Sequence, residues 1–209
     1  MRSIDALVET AGTLTEQGLS QGAIADELNV SRDTASWLVD QSESEPSAAT
    51  GESPVDVHVD WSAIGRDSSR LRHLGAIMAD LLAHEGEDVD LTVGIGKSGA
   101  SLATVVGQEL GSDISVYMPS KYQWNEGEDE DDGRAGSFSQ NFATIRDRDC
   151  YVVDDNIDTG QTMRETITRI DDAGGTPRAA VVLTNKLGTD EIEGVPVYSL
   201  IEVVQMTAE

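Results

Sequence analysis

Residues 151–162, YVVDDNIDTGQT, restrict the fold more than any other stretch of the chain. An apolar, β-branched run ends in two acids, Asp154 and Asp155. A turn of small polar residues follows, Asp158-Thr159-Gly160-Gln161-Thr162, and a helical pattern begins there. A strand that passes into a helix through such a turn belongs at the carboxyl edge of a parallel α/β sheet. The helix start gathers unpaired backbone N–H groups and favours an anion. The N–H groups of residues 158–162, with the Thr159 and Thr162 hydroxyls, suit one phosphate, and Gly160 allows close backbone approach. Two carboxylates just ahead of that turn suit a sugar diol, or a divalent metal held by the diol. Together these parts describe a cradle for a ribose 5-phosphate.

A second turn of the same kind is Val93–Ser101, VGIGKSGAS. It too follows an apolar run and precedes a helical one. Gly96-Lys97-Ser98 looks like the end of a Walker A loop, but that motif needs a glycine five positions earlier, and position 91 is Leu. Read alone, the stretch is either an anion loop or a glycine-rich turn without a ligand.

The first motif resembles the phosphoribosyl-pyrophosphate signature of the type I phosphoribosyltransferases. The likeness covers about residues 60–209, and the relatives it suggests are orotate phosphoribosyltransferase-like proteins. It implies that Asp154 and Asp155 face the ribose hydroxyls. It implies that Asp158, Thr159, Gly160, Gln161 and Thr162 hold the 5-phosphate. The second loop then meets the pyrophosphate, with charge from Lys97 and backbone amides from Ser98 and Gly99. It assigns no catalytic residue and no resident metal. Mg²⁺ enters only in company with bound phosphoribosyl pyrophosphate.

The surrounding pattern agrees with an α/β domain. Leu91–Ile95, Ile114–Met118, Cys150–Val153, Ala179–Leu183 and Val197–Ile201 are short apolar runs. Helical periodicity covers Ser62–His84, Ala100–Leu110 and Gln161–Ala173. Strands alternating with helices predict a parallel sheet covered on both faces.

Ahead of that domain the chain reads differently. Ile4, Leu7, Val8 and Ala11 recur at helical spacing. Ser20 and Ser31 are placed to cap helices over Gln21–Leu28 and Arg32–Val39. Residues 19–39 have the spacing of a helix-turn-helix, with small Ala25 where the two helices cross. The second helix then offers Ser31, Arg32, Thr34 and Ser36 to DNA. A plain helical hairpin used for dimer contact is the alternative, and Trp37 fits a core or dimer position. Residues 42–54 are Ser, Glu, Pro and Gly with little to bury, which is a linker composition. The expected organisation is a helix-turn-helix domain over 1–41, a linker over 42–54 and a phosphoribosyltransferase-like domain over 55–209. The fold class is thus α/β: a type I phosphoribosyltransferase-like parallel sheet behind a small all-α domain.

Charge bears on function. Lys and Arg total 14 against 39 Asp and Glu, a net −25 at pH 7. An ordinary small domain carries a net charge of about 2–8. Concentrated salt, with a Debye length of about 3 Å at 1 M, relieves such repulsion. Only three residues are lysine (Lys97, Lys121, Lys186), against eleven arginines. The composition is that of an extreme halophile's protein. No apolar run reaches the roughly 18 residues of a membrane span. The N-terminus lacks the apolar core of a signal peptide. Cys150 stands alone and the three histidines are scattered, so neither an internal disulfide nor a zinc site is expected. A cytoplasmic protein is expected.

A helix-turn-helix ahead of such a domain resembles a narrower group, haloarchaeal transcriptional regulators of sugar-catabolism genes. That likeness implies promoter DNA and a small phosphorylated effector as partners, and a homodimer, because helix-turn-helix pairs read two half-sites. The competing expectation is an active orotate or purine phosphoribosyltransferase. Against turnover stands Ser120–Gly136, where the family places basic residues over the pyrophosphate. Here Lys121 and Arg134 face Glu126, Glu128, Asp129, Glu130, Asp131 and Asp132.

Overall fold

Serine hydroxyls start the first helices. In α1 (Ile4–Glu16) the Ser3 hydroxyl accepts the Ala6 N–H at 3.2 Å. In α2 (Gln21–Leu28) Ser20 does the same for Ala23 at 3.2 Å. Asn29 then turns the chain with φ 50°, a left-handed conformation that Asn tolerates. Ser31 caps α3 (Arg32–Glu43), accepting the Thr34 N–H at 3.1 Å. These contacts come from a computed structural model that describes residues 3–43, 54, 56–85, 89–122 and 136–204. The chain divides into two units, Met1–Trp61 and Ser62–Glu209.

In the first unit Leu7, Ala11, Ile24, Ala25, Leu28, Ala35 and Leu38 form the core. Residues 56–60 run alongside as a strap. Asp56 Oδ2 accepts the Ser31 N–H at 2.6 Å, and the Val59 carbonyl accepts Asn29 Nδ2 at 3.1 Å. His58 Nδ1 meets the Leu28 carbonyl. Composition assigns this strap to the second domain, yet its hydrogen bonds go to the α2–α3 turn. Residues 44–53, the body of the expected linker, lie outside the described residues.

The second unit is the expected sheet with helices on both faces. The expected Ser62–His84 helix is two, α4 (Ser62–Gly65) and α5 (Ser68–Glu85). Asp67 divides them, because its Oδ1 accepts the N–H groups of Ser69 and Arg70, both at 3.0 Å. The strands are β1 (Leu91–Ile95), β2 (Asp113–Met118), β3 (Ser137–Phe138), β4 (Asp149–Ile157), β5 (Thr176–Asn185), β6 (Glu191–Ile192) and β7 (Val195–Glu202). They lie in the order β3-β2-β1-β4-β5-β7-β6. The central five are parallel, and β3 and β6 close the edges antiparallel.

The register fixes what each face buries. Val93 sits opposite Val152, and Val152 opposite Ala180. These residues join Met163, Ile167 and Ile170 of α7 (Gln161–Asp172) in one core cluster. On the other face Gly94 has no room for a side chain, because a Cβ there would meet Ala103 of α6 (Ser98–Leu110) at 2.7 Å. The Tyr151 hydroxyl donates to the Leu82 carbonyl of α5 on that same face. β1 leads through α6 to β2 on one side. β4 leads through α7 to β5 on the other. The strand order therefore reverses between β1 and β4, and ligands of open α/β sheets bind outside the carboxyl ends at such a point.

Candidate functional site

Both glycine-bearing loops lie at that reversal. The first connects Ile95 to Ser98 through Gly96 and Lys97, whose shared peptide is cis. Gly96 N–H donates to the Tyr117 carbonyl at 2.7 Å, which ties the loop to β2. Gly99, in the first turn of α6, packs on the end of β4. A Cβ there would stand 2.5 Å from the Val153 carbonyl oxygen and 3.0 Å from Asp154 Oδ1. The two halves of the expected site are thus in contact. Asp154 Oδ1 accepts the Asp155 N–H at 2.9 Å. Gly160 caps α7 with φ 75°, a conformation that favours glycine, and Thr159 Oγ1 receives the Gln161 N–H at 3.4 Å. Ser98, Gly99 and residues 158–162 therefore open helices whose first N–H groups lie at one edge of the sheet.

The structure adds two lysines to Lys97. All three lysines of the chain stand at this carboxyl edge, after β1, β2 and β5. Lys121 lies in the single turn Ser120–Tyr122 after β2 and donates to Thr162 Oγ1 at 2.9 Å. Its ammonium stands 5.3 Å from the Tyr122 ring centre, and that of Lys97 stands 5.0 Å from the same ring. Cations near an aromatic ring are favourable at such distances. Lys186 Nζ is 3.9 Å from Asp158 Oδ1, with its side chain only 6% exposed. Sequence reasoning singled out Lys97 alone. The signal for the other two was available: in a chain that prefers arginine, each lysine follows closely on an apolar strand run.

Glu165 on α7 organises the ground between these groups. It accepts the Tyr117 hydroxyl at 2.6 Å, the Ser120 N–H at 3.2 Å and the Gly136 N–H at 3.3 Å. Burial, and then this carboxylate, hold the Tyr117 phenol above the ordinary tyrosine range. Both roots of the acidic stretch are thereby fixed to α7. The acids Glu126–Asp132 themselves lie outside the described residues. The resulting edge combines paired acids, two helix starts and three ammonium groups. Such an arrangement suits a phosphorylated sugar.

In the first unit the four expected DNA contacts separate into two pairs. The Ser31 hydroxyl donates to Thr34 Oγ1 at 2.8 Å, and Thr34 is buried. These two hydroxyls hold the start of α3. Arg32 is exposed and Ser31 and Ser36 are half-buried, so Thr34 is the one of the four withdrawn from solvent.

A phosphoribosyl transferase domain matches residues 60–206. Over its full length the chain is 58% identical to "Transcriptional regulator GfcR" of Haloquadratum walsbyi, spanning 96% of that protein. It is 56% identical to the protein of the same name from Haloarcula marismortui, spanning 99% of it. The chain belongs to the GfcR family of transcriptional regulators. GfcR relatives extend to Methanothrix thermoacetophila, at 39% identity over 99% of this chain and 100% of that one. Among solved structures, orotate phosphoribosyltransferase of Mycobacterium tuberculosis H37Rv in complex with inorganic phosphate has a TM-score of 0.55. It is 18% identical and covers 71% of this chain and 80% of its own. Adenine phosphoribosyltransferase of Thermoanaerobacter pseudethanolicus has a TM-score of 0.56 at 18% identity, covering 71% and 89%. These two show the fold of this chain's second unit. No helix among the described residues is long and apolar enough to cross a membrane.

Proposed function

We propose that this transcriptional regulator binds promoter DNA of sugar-catabolism genes as a cytoplasmic homodimer. Its second unit senses phosphoribosyl pyrophosphate or a related sugar phosphate. The observation that carries the effector reading is the contact of the two loops at the strand reversal, where Gly99 packs on Asp154. Residues 158–162 take the 5-phosphate, Asp154 and Asp155 the ribose diol, and Lys97, Ser98 and Gly99 the pyrophosphate. Lys121 adds positive charge beside the Thr162 hydroxyl. The Mg²⁺ that accompanies a pyrophosphate ligand arrives with it. α2 and α3 form the helix-turn-helix, and Arg32 and Ser36 face the DNA. Sugar-catabolism targets rest on the resemblance to haloarchaeal regulators.

Footprinting on the chain's own promoters in molar KCl tests this reading. Protection that changes with phosphoribosyl pyrophosphate, loses that response in Asp154→Asn and disappears in Arg32→Ala is the expected result. No sequence-dependent protection under any effector condition overturns it. The site also keeps its paired acids and three ammonium groups, the observation favouring an active orotate or purine phosphoribosyltransferase. Pyrophosphate release from phosphoribosyl pyrophosphate and either base, abolished by Asp154→Asn, establishes that second reading.

A further inference from the structure

Glu165 is an acid close to the loop proposed to hold a phosphate. It lies about one helical turn past Thr162 on α7, and a carboxylate so placed repels an anion. What it contributes instead is hydrogen bonding. Oε1 accepts the Tyr117 hydroxyl and the Ser120 and Gly136 N–H groups, and Oε2 accepts the Ser120 hydroxyl at 3.4 Å. Two of these four bonds go to Ser120, the residue before Lys121.

The stretch that carries Lys121 is short. Ser120–Tyr122 makes a single turn, closed by the Tyr122 N–H on the Pro119 carbonyl at 3.0 Å. It is bonded to α7 at two points, Ser120 to Glu165 and Lys121 to Thr162. Those two α7 residues are three apart in sequence and share one face of the helix. A lysine side chain loses much rotamer freedom when it is held in one place. With its backbone fixed one residue away, less freedom remains to lose. The Thr162 hydroxyl accepts from the Lys121 ammonium and so keeps its own hydrogen to donate. The ammonium has two further hydrogens. A phosphate, which only accepts, matches that set of donors.

We propose that Glu165 is a positioning residue for the 5-phosphate. It acts through Ser120 to hold the Lys121 ammonium and the Thr162 hydroxyl as one set of donors. The inference rests on the sugar-phosphate reading of this site. It assigns Glu165 its role by reach rather than by charge, and it makes Lys121 the means by which Glu165 affects binding.

The test is calorimetric titration of the full chain with ribose 5-phosphate in molar KCl. The native chain binds saturably. Lys121→Met weakens binding about tenfold, the scale of one hydrogen bond to a charged group. Glu165→Asp keeps the charge but shortens the reach by one methylene, and it weakens binding comparably. Glu165→Gln keeps the reach without the charge and restores affinity to within about twofold of native. In the Lys121→Met background, Glu165→Asp weakens binding no further, because the group it positions is gone. No saturable binding by the native chain overturns the sugar-phosphate reading, and this inference with it. Native binding with losses that add in the double variant overturns this inference alone. So does unchanged affinity in Lys121→Met or Glu165→Asp, or a loss in Glu165→Gln equal to that in Glu165→Asp.

Discussion

Gly99 has room for a hydrogen and nothing larger. The nearest atoms facing it, the Val153 carbonyl oxygen and Asp154 Cα, belong to the backbone of β4, which cannot swing aside as a flexible side chain would. Gly99→Ala must therefore push α6 away from Val153 and Asp154. The expected cost is about 1–3 kcal/mol of unfolding stability, the range for overpacking. The response to a phosphorylated effector disappears with it, because the two loops part. Chemical denaturation and effector titration of the same variant check both halves, and an unchanged midpoint refutes the packing account. Cys150 gives a pH-dependent case. It is fully buried in β4, and burial, followed by the nearby Asp149, pushes its thiol up to about 12. The unfolded thiol ionises near 9. Above that pH the unfolded chain holds fewer protons than the folded one, so this group's contribution declines from about pH 9 to about 12. The slope approaches about 1.4 kcal/mol per pH unit. Unfolding free energies of the native chain and Cys150→Ala, compared across that window, should converge as pH rises. A constant difference contradicts the assignment.

The strap argues its own case at the level of elements. Asp56 places a carboxylate on the Ser31 N–H, where the positive end of α3 favours it. Asp56→Ala leaves that N–H without its partner and releases residues 56–60 from the α2–α3 turn. Destabilisation of about 1 kcal/mol is expected, with faster amide exchange at residues 28–31 and unchanged exchange in β1 and β4. Uniform acceleration in both units contradicts a role confined to the first. The strap also shows where sequence reading stops. β1 was legible to its last residue, since Leu91, Val93 and Ile95 are apolar and polar residues bound the run on both sides. β4 runs to Ile157, past the apolar stretch, because Asp154 and Asn156 keep pairing with Val182 and Thr184. β3 and β6, two residues each, carry too little pattern to see. The two glycine-bearing loops were legible as strand-to-helix turns because each is local. Lys121 on Thr162, Lys186 near Asp158 and Glu165 beneath Ser120 join residues far apart in sequence. Only the strand order brings them together. Residues 56–60 alternate valine with polar residues, and nothing local says which unit they cover.

For the whole molecule the question is how a chain at −25 approaches DNA. Met1–Trp61 holds two arginines and no lysine against twelve carboxylates. Most DNA-binding proteins gain affinity by replacing counterions, and each phosphate contact contributes about −0.9 to the slope of log affinity against log salt. Two arginines per protomer cap that slope at roughly −2 per half-site, where a protein with 6–10 contacts would show about −5 to −9. The carboxylates act in the opposite direction, because salt screens their repulsion from the phosphates. The protein's own self-repulsion is relieved by the same ions, so the folded chain is better populated as KCl rises. Affinity for promoter DNA should therefore fall little, or increase, from roughly 0.5 to 3 M KCl, a range in which the Debye length is only a few Å. Fluorescence anisotropy with a promoter duplex and a scrambled duplex measures both the slope and the discrimination. A slope steeper than about −4 per half-site would mean that cations beyond Arg2 and Arg32 meet the DNA. The nearest supply is the three lysines and nine arginines of the second unit. Such a result would move the DNA interface off α3 and onto the phosphoribosyltransferase-like unit.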